Sequence, residues 1–240
     1  MCIRDRLVIS LGGAGSRKAT RRELNAMNFQ KIGGIAGLVA AGTYLFGIGL
    51  LLGVLEPAGY DGEDMVAQAK FFSENQLIMY IWNLVIWILN AIVLVILALA
   101  IHDKLKEKTP AFSQVATSFA LIWAGLVLAS GMLSNITVST ASTLYATDPV
   151  QAGAFLQSLT AVESGLGGGN ELAGSLWVLI LSWAALRTEA FSKPMNVCGM
   201  LIGLAGLSTL VPALAPVTGA IFGLGFIVWF AWVGIHLLRS

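Results

Sequence analysis

A run of about 44 apolar residues, 195–238, sets the tightest limit on what this chain can fold into. As one helix it would be ~66 Å long, about twice the ~30 Å hydrocarbon thickness of a bilayer. Backbone polar groups in lipid must be satisfied within the segment, which favours helices. Pro212 and Pro216 bracket Ala-Leu-Ala at its centre and supply a break. The run therefore predicts a hairpin of two spans. Further apolar runs at about 31–55, 76–101, 112–134 and 172–186 bring the expected total to six. Pro57, Pro110, Pro149 and Pro194 all fall between them. Composition agrees: 57% of residues are hydrophobic, 11% are charged and mean hydropathy is +0.81. Soluble domains carry roughly 25% charged residues. A water-soluble enzyme, a disordered chain, a disulfide scaffold and a nucleic-acid binder are excluded.

The net charge of +1 conceals a segregation by sign. With the N-terminus inside, the inner segments hold Lys31, Lys104, Lys106, Lys108, Arg187, Lys193 and Arg239, whereas the outer ones hold only Lys70. Glu56, Asp61, Glu63, Asp64, Glu74, Asp148, Glu163 and Glu171 fall outside. Basic residues in short loops stay cytoplasmic. The expectation is an all-α six-helix transmembrane bundle, multi-pass in a bacterial inner membrane, with both termini cytoplasmic.

The start of the chain has a separate reading. Met1 to Arg6 matches one frame of the transposon-end adapter of sequencing libraries, which points to a metagenomic contig. Residues 1–26 then read as a non-native leader and 27–240 as a single transmembrane domain, with spans at about 31–55, 76–101, 112–134, 170–187, 195–214 and 217–238. A basic cytoplasmic tail around Arg17, Lys18, Arg21 and Arg22 is the alternative. A signal peptide is not, because the apolar run Leu7–Leu11 is too short.

The connection 135–171 holds Asp148-Pro149, a side-chain cap followed by proline at the first helical position. Ala152, Phe155, Leu156, Leu159, Val162 and Leu166 then recur at helical spacing. They predict an amphipathic outer helix over 149–164, ended by the glycine run 165–169. Asn135-Ile136-Thr137 matches a glycosylation sequon at a membrane exit, without consequence in a bacterial chain.

Ionisable residues at membrane depth are the usual pointer to function. Here the central parts of the spans carry almost none. The fourth run is short, so its span must take in Asn170 and Glu171 near the outer surface. Glu171 is read either as a cation or proton site, or as an acid favourable to a helix N-terminus. Asn83 and Asn90, seven residues apart, fall on one helical face with Trp87 between them. They read as interhelical glue or as the polar stripe of a solute cavity, with Thr43, Tyr44, Thr117, Ser118 and Ser130 as partners. Asn83, Asn90, Asn170 and Glu171 are the candidate ligand-binding residues. Gly33/Gly37, Gly49/Gly53, Gly199/Gly203 and Gly219/Gly223 let helices approach closely, within the bundle or in a homodimer. Trp183 and Trp232 suit an interfacial belt, whereas Trp87 and Trp177 read as packing.

No catalytic or metal-ligating set is legible, and no cofactor is expected. No lysine lies mid-span for a Schiff base. His102 and His236 sit at cytoplasmic ends, where haem ligation is a remote alternative. Cys198 has no partner cysteine beyond Cys2.

Phe191-Ser-Lys-Pro-Met-Asn-Val-Cys-Gly199, Gly203-Leu-Ala-Gly206 and Gly223-Leu-Gly-Phe-Ile-Val-Trp229-Phe-Ala-Trp-Val-Gly234 resemble the small bacterial integral membrane proteins of domain of unknown function 4386. Met27-Asn28, Lys31 and Gly33-Gly34 extend the likeness to 27–239. The resemblance implies the six-span fold and carries over no catalytic residue. The expected function is non-enzymatic: binding a lipid or partner, or an envelope role. The alternative is a small transporter or channel for a neutral or cationic solute. The partners expected are the lipid bilayer, a second copy through glycine-rich faces, and an unspecified small molecule.

Overall fold

A computed structural model describes residues 3–60, 63–168 and 171–240, with side chains described from Met27 onward except at 167–170. The described residues are mostly helical, with no strands among them. α1 (Ile3–Leu50) runs on into a π-helical turn at Leu51–Leu55. α2 (Met65–Glu74) is short and capped by the Asp64 carboxylate, which accepts from the Val66 and Ala67 amides at 2.9 and 3.1 Å. α3 (Gln76–Asn83), a second π turn (Leu84–Leu89) and α4 (Asn90–Leu105) form one rod. α5 (Pro110–Tyr145) and α6 (Pro149–Glu163) follow, with a third π turn at Ser164–Gly168. α7 (Leu172–Thr188), α8 (Lys193–Ser208) and α9 (Ala215–Leu238) complete the chain.

Four segments are long and apolar enough to cross a membrane: Met27–Leu55, Gln76–Leu105, Pro110–Tyr145 and Ala215–Leu238. α7 is apolar but shorter. The turn at 209–214, with Pro212 at its centre, separates α8 from α9 where the two prolines require a break.

The helices pack in a closed circuit: α1 on α4, α4 on α5, α5 on α7, α7 on α8, α8 on α9, and α9 back on α1. Every neighbouring pair in it is antiparallel. Gly33 meets Ala100 and Gly47 meets Ile86 on the α1–α4 seam, while Gly34 meets Leu238 and Gly37 meets Phe230 on the α1–α9 seam. On the α7–α8 seam, Gly199 meets Ser182 and Gly206 meets Ser175. The circuit is filled by rings: Trp123, Trp177, Phe222, Phe226, Trp229 and Phe230 are all buried, with Trp123 and Phe226 centroids 5.0 Å apart. Such offset and edge-on pairs add roughly 0.5–1.5 kcal/mol each beyond area burial.

One end gathers the basic residues. Lys104 Nζ donates to Ser240 Oγ at 2.9 Å, Lys108 Nζ donates to the Thr188 carbonyl at 3.3 Å, and Lys106 pairs with Asp103. Phe191 packs on His236 at 5.1 Å there, and Arg187 lies 3.8 Å over the Trp183 ring. The opposite end carries a second apolar cluster: Leu55, Phe71, Phe72, Met79, Val138, Ala141, Ala152 and Leu156. It holds α2 and α6 as a cap on the far end of α5.

That cap carries one helix past the end of its apolar run. The third apolar run ends at 134 in sequence, but α5 continues to Tyr145 because Val138, Ala141 and Ser142 bury beneath α2 and α6. At ~1.5 Å per residue its 36 residues span ~54 Å, so its last turns stand beyond a ~30 Å hydrocarbon layer. Asn135 lies within this helix, just past the last residue of the apolar run. α6 begins as foreseen, with the Asp148 carboxylate accepting from the Val150 and Gln151 amides at 3.1 and 3.0 Å. It packs on α2 and α5 through Ala152, Gly153 and Leu156, leaving Val150 and Val162 exposed.

The glycine pairs divide. Gly33/Gly37 and Gly199/Gly203 lie in helix seams, whereas Gly49, Gly53 and Gly223 have open space where a side chain would stand. Gly219 has only the Thr209 methyl, at 3.9 Å.

Candidate functional site

Two cavities occupy the half of the bundle beneath the cap, and Trp82 and Trp87 line both. The larger, about 280 Å³, lies between α1, the α3–α4 rod and α5. α1 contributes Thr43, Tyr44, Gly47 and Leu51 to its wall, the rod Ile86 and Asn90, and α5 Trp123 and Val127. Glu171, at the start of α7, completes the wall. The lining is mostly apolar and aromatic with a few polar groups, the usual make-up of a small-molecule site.

The polar groups have defined roles. Asn90 Nδ2 donates to Thr43 Oγ1 at 2.7 Å, and that hydroxyl donates to the Ala40 carbonyl at 2.7 Å. Both residues are buried. Among the described residues, Asn90 Oδ1 has no donor of its own. Trp82 Nε1 donates to the Gly47 carbonyl at 3.1 Å, which fixes the indole against α1. The Glu171 backbone is anchored: its amide donates to Thr209 Oγ1 at 3.1 Å and its carbonyl accepts from Ser175 Oγ at 2.5 Å. Its carboxylate enters no ion pair among the described residues. The half-buried Tyr44 phenol lines the same wall.

The smaller cavity, about 160 Å³, lies nearer the cap between the rod, α5 and α6. Asn83 Nδ2 donates to Asn135 Oδ1 at 3.3 Å, and Ser134 Oγ donates to Glu163 Oε1 at 2.8 Å. Thr137 Oγ1 is buried there without a hydrogen-bond partner. Gln68 Nε2 donates to the Tyr60 hydroxyl at 3.2 Å on its upper wall.

The structure thus separates Asn83 from Asn90. Seven residues of α-helix would put them on one face, but the π turn at Leu84–Leu89 lies between them. A π turn closes over more residues than an α turn, so the phase shifts by most of a residue's rotation across it. Asn83 faces α5 and the smaller cavity; Asn90 faces α1 and the larger one. Glu171 shares a wall with Asn90 only. Asn170 lies outside the described residues.

Of the proposed partners, Thr43 and Tyr44 are at the site. Thr117 and Ser118 are not: each hydroxyl donates back along its own helix, to the Ser113 and Gln114 carbonyls at 2.7 and 3.0 Å. Trp177 is buried packing, but Trp87 is a cavity wall. Sequence reasoning missed the roles of Glu163, a polar wall residue, and of Asn135, the acceptor for Asn83. A serine-threonine tract after an apolar run gives no sign that its helix continues.

No protein-family model matches the chain, and no curated protein and no solved structure matches it. The resemblance of the C-terminal third therefore stands on its Gly, Pro and aromatic positions alone.

Proposed function

We propose that this chain is a six-span integral membrane protein of a bacterial inner membrane, with both termini cytoplasmic, that binds a small molecule in its larger cavity without chemical turnover. The observation that carries this reading is the 280 Å³ chamber that combines three tryptophans with Asn90, Tyr44 and Glu171. Gathering of basic groups at the end that holds both α1's entry and α9's exit supports the orientation, since such residues are retained on the cytoplasmic side. α7 and α8, of 17 and 16 residues, are shorter than the four long apolar segments; what supports reading them as the fourth and fifth crossings is their antiparallel packing on each other and on α5 and α9. Transport of the bound molecule is the second reading. It is favoured by the two cavities lying in series below the cap with Trp82 and Trp87 as their common wall.

The test is a stability screen of the purified full chain against lipids, neutral solutes and organic ions, with Asn90→Leu and Val127→Phe as cavity-blocking variants. At least one compound should raise Tm in the unmodified chain and not in the blocked ones. A screen without a variant-sensitive shift overturns the reading. Reporter fusions at Ser240 should be active only with cytoplasmic reporters; periplasmic activity would reverse the orientation.

A further inference from the structure

We infer that the larger cavity takes an organic ammonium ion, a positively charged nitrogen bearing small alkyl groups; this rests on that cavity being the ligand site. The argument begins with charge. Glu171 contributes to a wall that is otherwise apolar or neutral, and a carboxylate in such surroundings is disfavoured as an isolated charge, so it is occupied either by a proton or by a cation beside it. The chain provides none: among the described residues no basic side chain pairs with it, and Lys70, expected on this side, pairs with Glu74 at 3.9 Å. A cationic ligand would supply the countercharge that the protein does not, in competition with a proton. An anion would be repelled, and a neutral solute would leave the carboxylate as it found it.

The rest of the wall identifies the kind of cation. Trp82, Trp87, Trp123 and Tyr44 surround the space, and aromatic faces attract a weakly hydrated positive charge spread over alkyl groups. Trp82 is held in place by its bond to the Gly47 carbonyl, and Trp123 by tilted packing against Phe226 and Trp177. The box is therefore formed before the ligand arrives. A bare metal ion fits the same wall poorly. Thr43 Oγ1 is already committed to Asn90 and Ala40, so few oxygens remain, and no group of three His, Cys, Asp or Glu is placed for a metal among the described residues. The chamber, about 280 Å³, is also far larger than one bare ion fills. Asn90 Oδ1 offers an acceptor to a hydroxyl or N–H on the ligand's tail.

The experiment titrates the purified full chain in nanodiscs with choline, with its uncharged isostere 3,3-dimethylbutanol, and with sodium chloride at matched ionic strength. Intrinsic tryptophan fluorescence and Tm are the readouts. Choline should give a saturable change and bind at least tenfold more tightly than the isostere, and sodium should give none. Glu171→Gln should weaken choline at least tenfold and leave the isostere unchanged. If the isostere binds as tightly as choline and Val127→Phe abolishes both, the ammonium inference is overturned and the cavity stands as a ligand site. If neither probe binds and no compound of the wider screen does, both fall; if others bind and choline does not, only the ammonium inference falls. Should Glu171→Gln fail to fold, the ratio of choline to isostere on the unmodified chain decides.

Discussion

Gly34 and Gly49 lie on the same helix and differ only in what faces them. A methyl group placed on Gly34 would stand 2.8 Å from the Gly234 carbonyl oxygen and 2.9 Å from the Leu238 amide, both backbone atoms that cannot step aside. One placed on Gly49 meets nothing within 4 Å. Overpacking of a tight seam costs roughly 1–3 kcal/mol, whereas glycine in a helix interior is already about 1 kcal/mol worse than alanine. Gly34→Ala should therefore lower Tm clearly, and Gly49→Ala should leave it equal or raise it. Thermal unfolding of the two purified variants side by side checks this, and equal effects would contradict the assigned seam. Spacing marks Gly49 as a member of a small-residue pair and passes over Gly34; which face meets a neighbour depends on the partner helix and is not written locally. The same applies to Asn90. Its burial was legible, since an amide in a span must find a partner, and Thr43 was one of five candidates; which of the five it takes was not legible.

Among elements, the apolar runs were readable because hydrocarbon thickness fixes a length and prolines mark the breaks. The π turn at Leu84–Leu89 was not: Leu-Val-Ile-Trp-Ile-Leu is as apolar as an α turn would be, and its effect appears only in where Asn83 and Asn90 face. The continuation of α5 was hidden for the opposite reason, because Ser139, Thr140, Ser142 and Thr143 look like loop until α2 and α6 cover the other side of that helix. The cap so formed has a pH limit. Burial pushes the Tyr60 phenol above the usual tyrosine range; the Gln68 bond opposes this, and the Glu163 charge adds to the rise. The folded cap keeps the proton while unfolded tyrosine, with a pKa of about 10, releases it. Its stability is thus whole below about pH 10 and declines as pH climbs through the folded value. Hydrogen exchange of the α2 amides should accelerate in that range, and Tyr60→Phe should remove the pH dependence. An acceleration that persists in Tyr60→Phe would place the sensitivity elsewhere.

At the scale of the whole molecule, the closed circuit of helices means that chain connectivity is not what holds the two halves together. The part ending with α5 and the part beginning with α7 meet along two separate seams, α5 with α7 and α1 with α9. Trp123 against Gly174 and Trp177 closes the first; Gly34 and Gly37 against Gly234 close the second. A covalent link between residues 165 and 171 is then dispensable to the packing. Two separately encoded pieces, one ending at Gly165 and one beginning at Glu171, should co-purify through a tag on either when expressed together, and Gly37→Leu should weaken their recovery. Pieces that never associate would contradict the closed circuit. Because Glu171 comes from one piece and Asn90 from the other, the cavity wall itself is bipartite: its assembly would report reunion of the two halves as directly as any tag.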